Sequence, residues 1–142
     1  MIIIAHRGNL EGSKPDLENT VEYLEAALHK GFDVEADVWW KDGAFFLGHD
    51  HPGQVAPLSF LKDRSIWCHA KDALALDRLL AVGAHCFSHD KDEVVLTSFG
   101  YLWTYPGKTL TPMSIAVLPE RVDGWAKGPK AGVCTDFVSR PW

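Results

Sequence analysis

Glu35 and Asp37 sit in the segment Phe32-Asp33-Val34-Glu35-Ala36-Asp37-Val38-Trp39-Trp40, where apolar residues fill the even positions and carboxylates recur at 33, 35 and 37. That period of two belongs to a β-strand, so Glu35 and Asp37 point to the same face. Carboxylates held so close in a buried site repel and raise each other's pKa, and a chain that places them there normally supplies a cation. Oxygen ligands of this kind suit Mg²⁺ or Ca²⁺. Before them, the apolar run Met1-Ile2-Ile3-Ile4-Ala5 delivers His6 and Arg7 at its end, pairing a side chain that titrates near neutrality with a planar fork that matches phosphate. After them, Lys41-Asp42-Gly43 forms a tight turn and Ala44-Phe45-Phe46-Leu47 runs back to His49. Two histidines, two carboxylates and an arginine in this order suit metal-assisted cleavage of a phosphodiester.

The order His6-Arg7-Gly8, Glu18-Asn19-Thr20, Glu35-Ala36-Asp37, Lys41-Asp42-Gly43 and His49-Asp50 resembles the motif order of the glycerophosphodiester phosphodiesterases. The likeness covers roughly the first third of the chain, and five motifs in sequence are far more specific than any one of them. It implies a TIM-like barrel, His6 and His49 as catalytic acid and base, Glu35 and Asp37 as metal ligands, and Arg7 as a phosphate contact. It also implies a later strand ending Glu-x-Lys, whose glutamate completes the metal site.

Here that strand reads Ile66-Trp67-Cys68-His69-Ala70-Lys71. Lys71 fits a phosphate contact, and His69 stands in the glutamate's place on the same face. A nitrogen ligand makes the site more tolerant of Mn²⁺ or Zn²⁺. The third ligand is therefore His69 or, at the apparent ends of later strands, Glu120 or Asp136.

The elements that position these residues follow from periodicity. Asn19 reads as an N-cap with Glu22 three residues on, opening a helix from about Thr20 to Lys30 with Val21, Leu24, Ala27 and Leu28 as its apolar stripe and Gly31 as its stop. A second helix spans Ala73 to Ala81, with Leu74, Leu76, Leu79, Leu80 and Val82 apolar and Gly83 ending it. Strands are expected at 84–88, 115–118 and 133–135, with a helical turn near 120–126 between the last two. The segments 93–98 and 101–105 are too close for a parallel crossover and read more easily as a hairpin, the alternative being a barrel that has lost its helix there and turns sharply. With the resemblance, this gives one α/β domain over residues 1–142: a compact, reduced TIM-like (β/α) barrel of about seven to eight parallel strands and few helices. A (β/α)₈ barrel usually needs about 250 residues. So few helices would leave bare strand faces, for which a homo-oligomer is the expected cover.

The formal charge is −5, and the 14 lysines and arginines are scattered, so nucleic acid is not the expected partner. No run approaches the ~18 apolar residues of a membrane span, and His6 lies too early for a signal peptide, so the expected location is cytoplasmic and the expected partner a small phosphodiester. Cys68, Cys86 and Cys134 lack metal or disulfide spacing and read as buried thiols. Trp39 and Trp67 are aimed inward by parity. His29, His51 and His85 read as structural, whereas His89 could line the mouth; Asp50 reads as a turn cap or as the partner of a histidine. Two other functions remain open: a sphingomyelinase D-like phospholipase forming a cyclic phosphate, and a phosphate- and metal-binding module without turnover.

Overall fold

The computed structural model describes residues 1–142. β1 (Ile2–His6) lies between β2 (Asp33–Lys41) and β10 (Gly132–Thr135), parallel to both. An unbroken apolar strand requires such a place, because only cover on both faces removes its side chains from water. Outward from β2 run β5 (Ile66–Ala70) and β6 (Cys86–Phe87); outward from β10 run β9 (Ser114–Val117), β8 (Leu102–Thr104) and β7 (Val94–Leu96). β3 (Ala44–Leu47) and β4 (Gln54–Val55) continue β2 as antiparallel strands. Val38 pairs with Ala70 on one side and Leu47 on the other, so β3 takes over the edge of β2 that β1 leaves at Glu35.

Three α-helices cover one side of this sheet: α1 (Val21–His29), α2 (Leu58–Leu61) and α3 (Ala73–Ala81). Asp72 caps α3 by accepting from Ala75 N at 2.8 Å. The apolar stripe expected on this helix is narrower than the sequence suggested: Ala75 and Leu79 are buried, but Leu74 and Leu80 face solvent. α1 is capped by Thr20, whose hydroxyl accepts from Tyr23 N at 3.4 Å. Asn19, the expected cap, instead has a left-handed backbone and turns its side chain towards β2.

The sheet is not the closed parallel barrel that the resemblance implied. Ten strands form one mixed sheet, with antiparallel pairings at β2–β3, β3–β4 and β7–β8, curled into a half-barrel. Only Thr97 to Tyr101 separate β7 from β8, a link that allows a hairpin and no parallel crossover. β6 is two residues long, and no α-helix connects β8, β9 and β10. The two ends of the sheet meet at Ser98, whose N–H donates to the Cys86 carbonyl at 2.8 Å and whose hydroxyl accepts from Cys86 N at 2.9 Å. These single bonds join the ends without a strand ladder.

Strand parity sorts the side chains. Ala5, Val34, Ala36, Val38, Ile66, Cys68 and Ala70 pack with the helices in the larger apolar core. Ile4, Trp67, Phe87, Trp103, Ile115, Val117 and Cys134 fill the concave side as a second, aromatic-rich core. Two residues further along these same strands come His6, His69, His89, Tyr105 and Asp136, all lining one cleft above that floor. Trp67 is inside as expected; Trp39 is only half-buried and donates from Nε1 to the Gly48 carbonyl at 2.6 Å. All three cysteines are buried and free. No helix is long and apolar enough to cross a membrane.

Candidate functional site

Glu35 and Asp37 lie side by side on the concave face of β2, only 3% and 0% exposed. His69, on neighbouring β5, completes a compact group in which one ligand atom from each of the three residues lies within 4.8 Å of the others. His69 Nδ1 is 2.9 Å from Asp37 Oδ1 and 3.8 Å from Glu35 Oε1. Asp37 Oδ1 is buried and makes no well-aligned hydrogen bond, although His69 Nδ1 at 2.9 Å and Lys71 Nζ at 3.4 Å both face it. Two ligand atoms each about 2.1 Å from one ion stand about 3.0 Å apart when adjacent in its shell. The buried oxygen without an aligned hydrogen bond, the spacing and the donor types fit a divalent ion. Glu120 and Asp136, the other candidates for third ligand, are engaged elsewhere. Glu120 accepts from Thr135 Oγ1 and Asp136 N, both at 2.9 Å, and braces the end of β10.

Asp37 is fixed by Asn19 across the strand edge. On the edge that β1 leaves and β3 takes up, β2 has no strand beside Asp37, and Asn19 fills the place: Asp37 N donates to Asn19 Oδ1 and Asn19 Nδ2 donates to Asp37 Oδ2, both at 2.9 Å. Cations surround the same carboxylate, with Arg7 Nε at 3.1 Å and Lys71 Nζ at 3.4 Å. Burial alone would raise its pKa, but His69, Lys71 and Arg7 outweigh it and hold Asp37 well below the usual carboxylate range. Glu35 moves the other way, pushed up by burial and by the Asp37 charge. A cation placed between them would oppose the Glu35 shift and favour the charged form of both carboxylates.

His6 ends β1 with its ring between two carboxylates. Nδ1 is hydrogen-bonded to Asp136 Oδ1 at 2.8 Å, and Nε2 faces Glu35 Oε2 at 4.0 Å. Burial works against the imidazolium, yet the Asp136 bond and the Glu35 charge prevail and raise the His6 pKa. The other histidine named by the sequence, His49, is 43% exposed and lines the same cleft, with Nδ1 2.8 Å from Asp50 Oδ1. It stands on the loop after β3, where Gly48 has φ +150° and an added Cβ would lie 2.1 Å from the His51 carbonyl oxygen; no side chain fits there.

Arg7 has a left-handed backbone at φ +53°. Its N–H donates to Glu35 Oε2 at 3.2 Å and its Nη1 to Glu18 Oε2 at 3.3 Å. The cleft lined by Arg7, Lys71, His6, His49, Glu35 and His69 encloses about 470 Å³, with Asp37 buried against its wall. All seven candidate residues therefore lie in or against one site. Asp136 beside His6, Glu18 beside Arg7 and Tyr105 in the cleft wall are additions to the residues that the motifs single out. For Tyr105 a signal existed: it follows the floor residue Trp103 by two positions, as His69 follows Trp67. Asp136 is expected at a strand end only as an alternative metal ligand, and nothing local points to its pairing with His6, 130 residues away. Compared with protein-family models, curated proteins and solved structures, the chain matches none.

Proposed function

We propose that this chain is a divalent-metal-dependent phosphodiester hydrolase that acts on glycerophosphodiester-like small molecules through His6 and His49. The observation that carries the proposal is His6 itself: its Nδ1 is tied to Asp136 at 2.8 Å and its Nε2 is turned towards the Glu35 side of the buried Glu35–Asp37–His69 group at 4.0 Å. A histidine so oriented presents one nitrogen to the place where a metal-bound phosphate would react.

An ion held by Glu35, Asp37 and His69 would neutralise a non-bridging phosphate oxygen and acidify the attacking hydroxyl. A nitrogen donor beside two carboxylates favours Mn²⁺ or Zn²⁺ over Ca²⁺, with Mg²⁺ also accommodated. Arg7 and Lys71 at the cleft wall draw the diester anion in and orient it. In hydrolysis a water oxygen forms a bond to phosphorus while the bond to one ester oxygen breaks. One histidine takes the water's proton and the other gives a proton to the departing alkoxide, leaving a phosphomonoester and an alcohol.

A second reading, phosphate binding without turnover, draws on the two cations already beside Asp37, which offset its charge with no ion present. Metal-stripped protein should be assayed on bis(p-nitrophenyl) phosphate and glycerophosphocholine with Mg²⁺, Ca²⁺, Mn²⁺ and Zn²⁺ restored one at a time and Glu35→Ala as the blank. Metal-dependent release of product, absent in the blank, supports the hydrolase. A cyclic phosphate in the phosphorus NMR spectrum supports the sphingomyelinase D-like alternative, and phosphate binding with no product under any ion supports the binding module.

A further inference from the structure

Asn9 is fully buried beside the site, and the mechanism above leaves it without a role. Its Nδ2 lies 2.8 Å from Glu18 Oε1 and 2.8 Å from Asp136 Oδ1. One primary amide has two N–H donors, so both are spent on carboxylates. Its Oδ1 accepts from Lys14 N at 3.2 Å and Tyr23 Oη at 3.4 Å. The flipped amide would set its oxygen against two carboxylate oxygens, so the surroundings allow one orientation.

The two carboxylates serve different partners. Asp136 Oδ1 also accepts from His6 Nδ1, and Glu18 accepts from Arg7 Nη1. Asn9 is thus the single side chain bonded to both the partner of the acid–base histidine and the partner of the phosphate-facing arginine. The backbone reinforces the join: Gly12 N donates to the Asp136 carbonyl at 2.7 Å and Val138 N to the Leu10 carbonyl at 2.9 Å, which lashes the segment after β10 to the loop carrying Asn9.

We propose that Asn9 is a positioning residue for phosphodiester hydrolysis: by bonding Asp136 and Glu18 from one amide, it holds His6 and Arg7 in a fixed mutual arrangement. This rests on the hydrolase reading. Without Asn9, the Asp136 carboxylate loses one of the bonds that fix its rotation, and the His6 ring loses a rigid anchor. Outer partners of this sort commonly change rates by 10- to 100-fold when removed.

The test compares wild type with Asn9→Ala and Asn9→Ser, each metal-loaded, by kcat and KM on bis(p-nitrophenyl) phosphate, metal affinity, melting temperature, and ¹⁵N spectra of the histidine rings at one fixed pH. For Asn9→Ala, kcat is expected to fall about 10- to 30-fold while KM changes less than threefold and metal affinity less than twofold. The His6 nitrogen signals should move towards a mixture of tautomers as the Nδ1 bond slackens. Serine, with one O–H donor, should recover part of the loss and part of the shift. The proposal is overturned by a folded Asn9→Ala protein with unchanged kcat and unchanged His6 signals. It is also overturned if kcat, metal affinity and melting temperature fall together in both variants, since that is the behaviour of a purely structural residue. If wild type turns over no diester, the hydrolase reading fails by itself, and the His6 spectrum alone decides whether Asn9 positions that ring.

Discussion

The concave face of the sheet has two layers built by the same strands, and they obey opposite rules. The floor, with Ile4, Trp67, Phe87, Trp103, Ile115 and Cys134, is buried and apolar. The rim, two residues further along, carries His6, His69 and Asp136, which with Asp37 of β2 face other charged groups. One step of strand period therefore separates a region that gains free energy by excluding water from one that spends it holding charge away from water. Histidines show the contrast most directly. In the rim, His6 gains a proton affinity from Asp136 and Glu35 that outweighs its burial. Against the floor, His85 packs 4.0 Å from the Trp67 ring, and burial together with the Arg64 charge pushes its pKa down to about 4.

The two layers should separate under mutation, and the largest effect belongs to the rim. His6→Ala should lower kcat by at least about 10²-fold, the usual cost of losing a positioned proton carrier, with a melting temperature close to that of wild type. Steady-state assays alongside circular dichroism melts check this, and normal turnover would remove His6 from the mechanism. The floor should give the inverse pattern. Ile115 is fully buried on β9 and belongs to the floor alone, so Ile115→Ala should cost about 3 kcal/mol of stability in urea titrations and leave kcat per folded molecule within a few-fold. A large fall in kcat from this change would mean that the layers are mechanically coupled.

How far the layers could be seen in the sequence depended on the range of the forces that built them. The alternation in 32–40 gave the face of Glu35 and Asp37 because strand parity is local. The same locality gave α3 with its limits and the β7–β8 hairpin, since the Asp72 cap and the short link at 97–101 act within a few residues. Asn19 was misread for that very reason. Its type and spacing suit a helix cap, but its side chain pairs with Asp37 across 18 residues, and Thr20 caps the helix instead. Barrel closure failed as an expectation because it depends on whether distant edges pair: β6 ends after two residues, and Ser98 closes the seam with single bonds. β4 and α2 were too short to leave a periodic trace.

His85 provides a weaker test of the same comparison through pH. Its folded pKa lies below the ordinary 6.5, so the unfolded chain binds the proton more readily. The resulting stability is complete above pH 6.5 and is lost as the pH falls towards about 4. The amount is at most on the order of 3 kcal/mol, less whatever solvent screening removes. Urea titrations between pH 7 and pH 4 should show that loss in wild type and a shallower one in His85→Gln, which retains an amide able to reach Thr97, the present partner of His85 Nε2 at 2.9 Å. Equal slopes would mean that His85 does not stay neutral on folding, and the contrast with His6 would fail.

The smallest expected effect probes whether the rim is rigid before any ion arrives. Asn19 holds Asp37 from both its backbone N–H and Oδ2, leaving Oδ1 as the oxygen that meets His69. Removing that amide frees the carboxylate to rotate, so the metal must organise its own ligand and affinity falls. Asn19→Ala should weaken Mn²⁺ binding about 10-fold by isothermal titration. Asn19 also adopts φ +57°, a conformation that asparagine tolerates better than alanine, so the alanine variant will lose some stability as well. Asn19→Gly removes that ambiguity, because glycine accepts the backbone angle while supplying no amide. If both variants weaken metal binding alike, the amide sets the affinity; if only alanine does, the loss lies in the backbone and Asp37 needs no outer partner to bind.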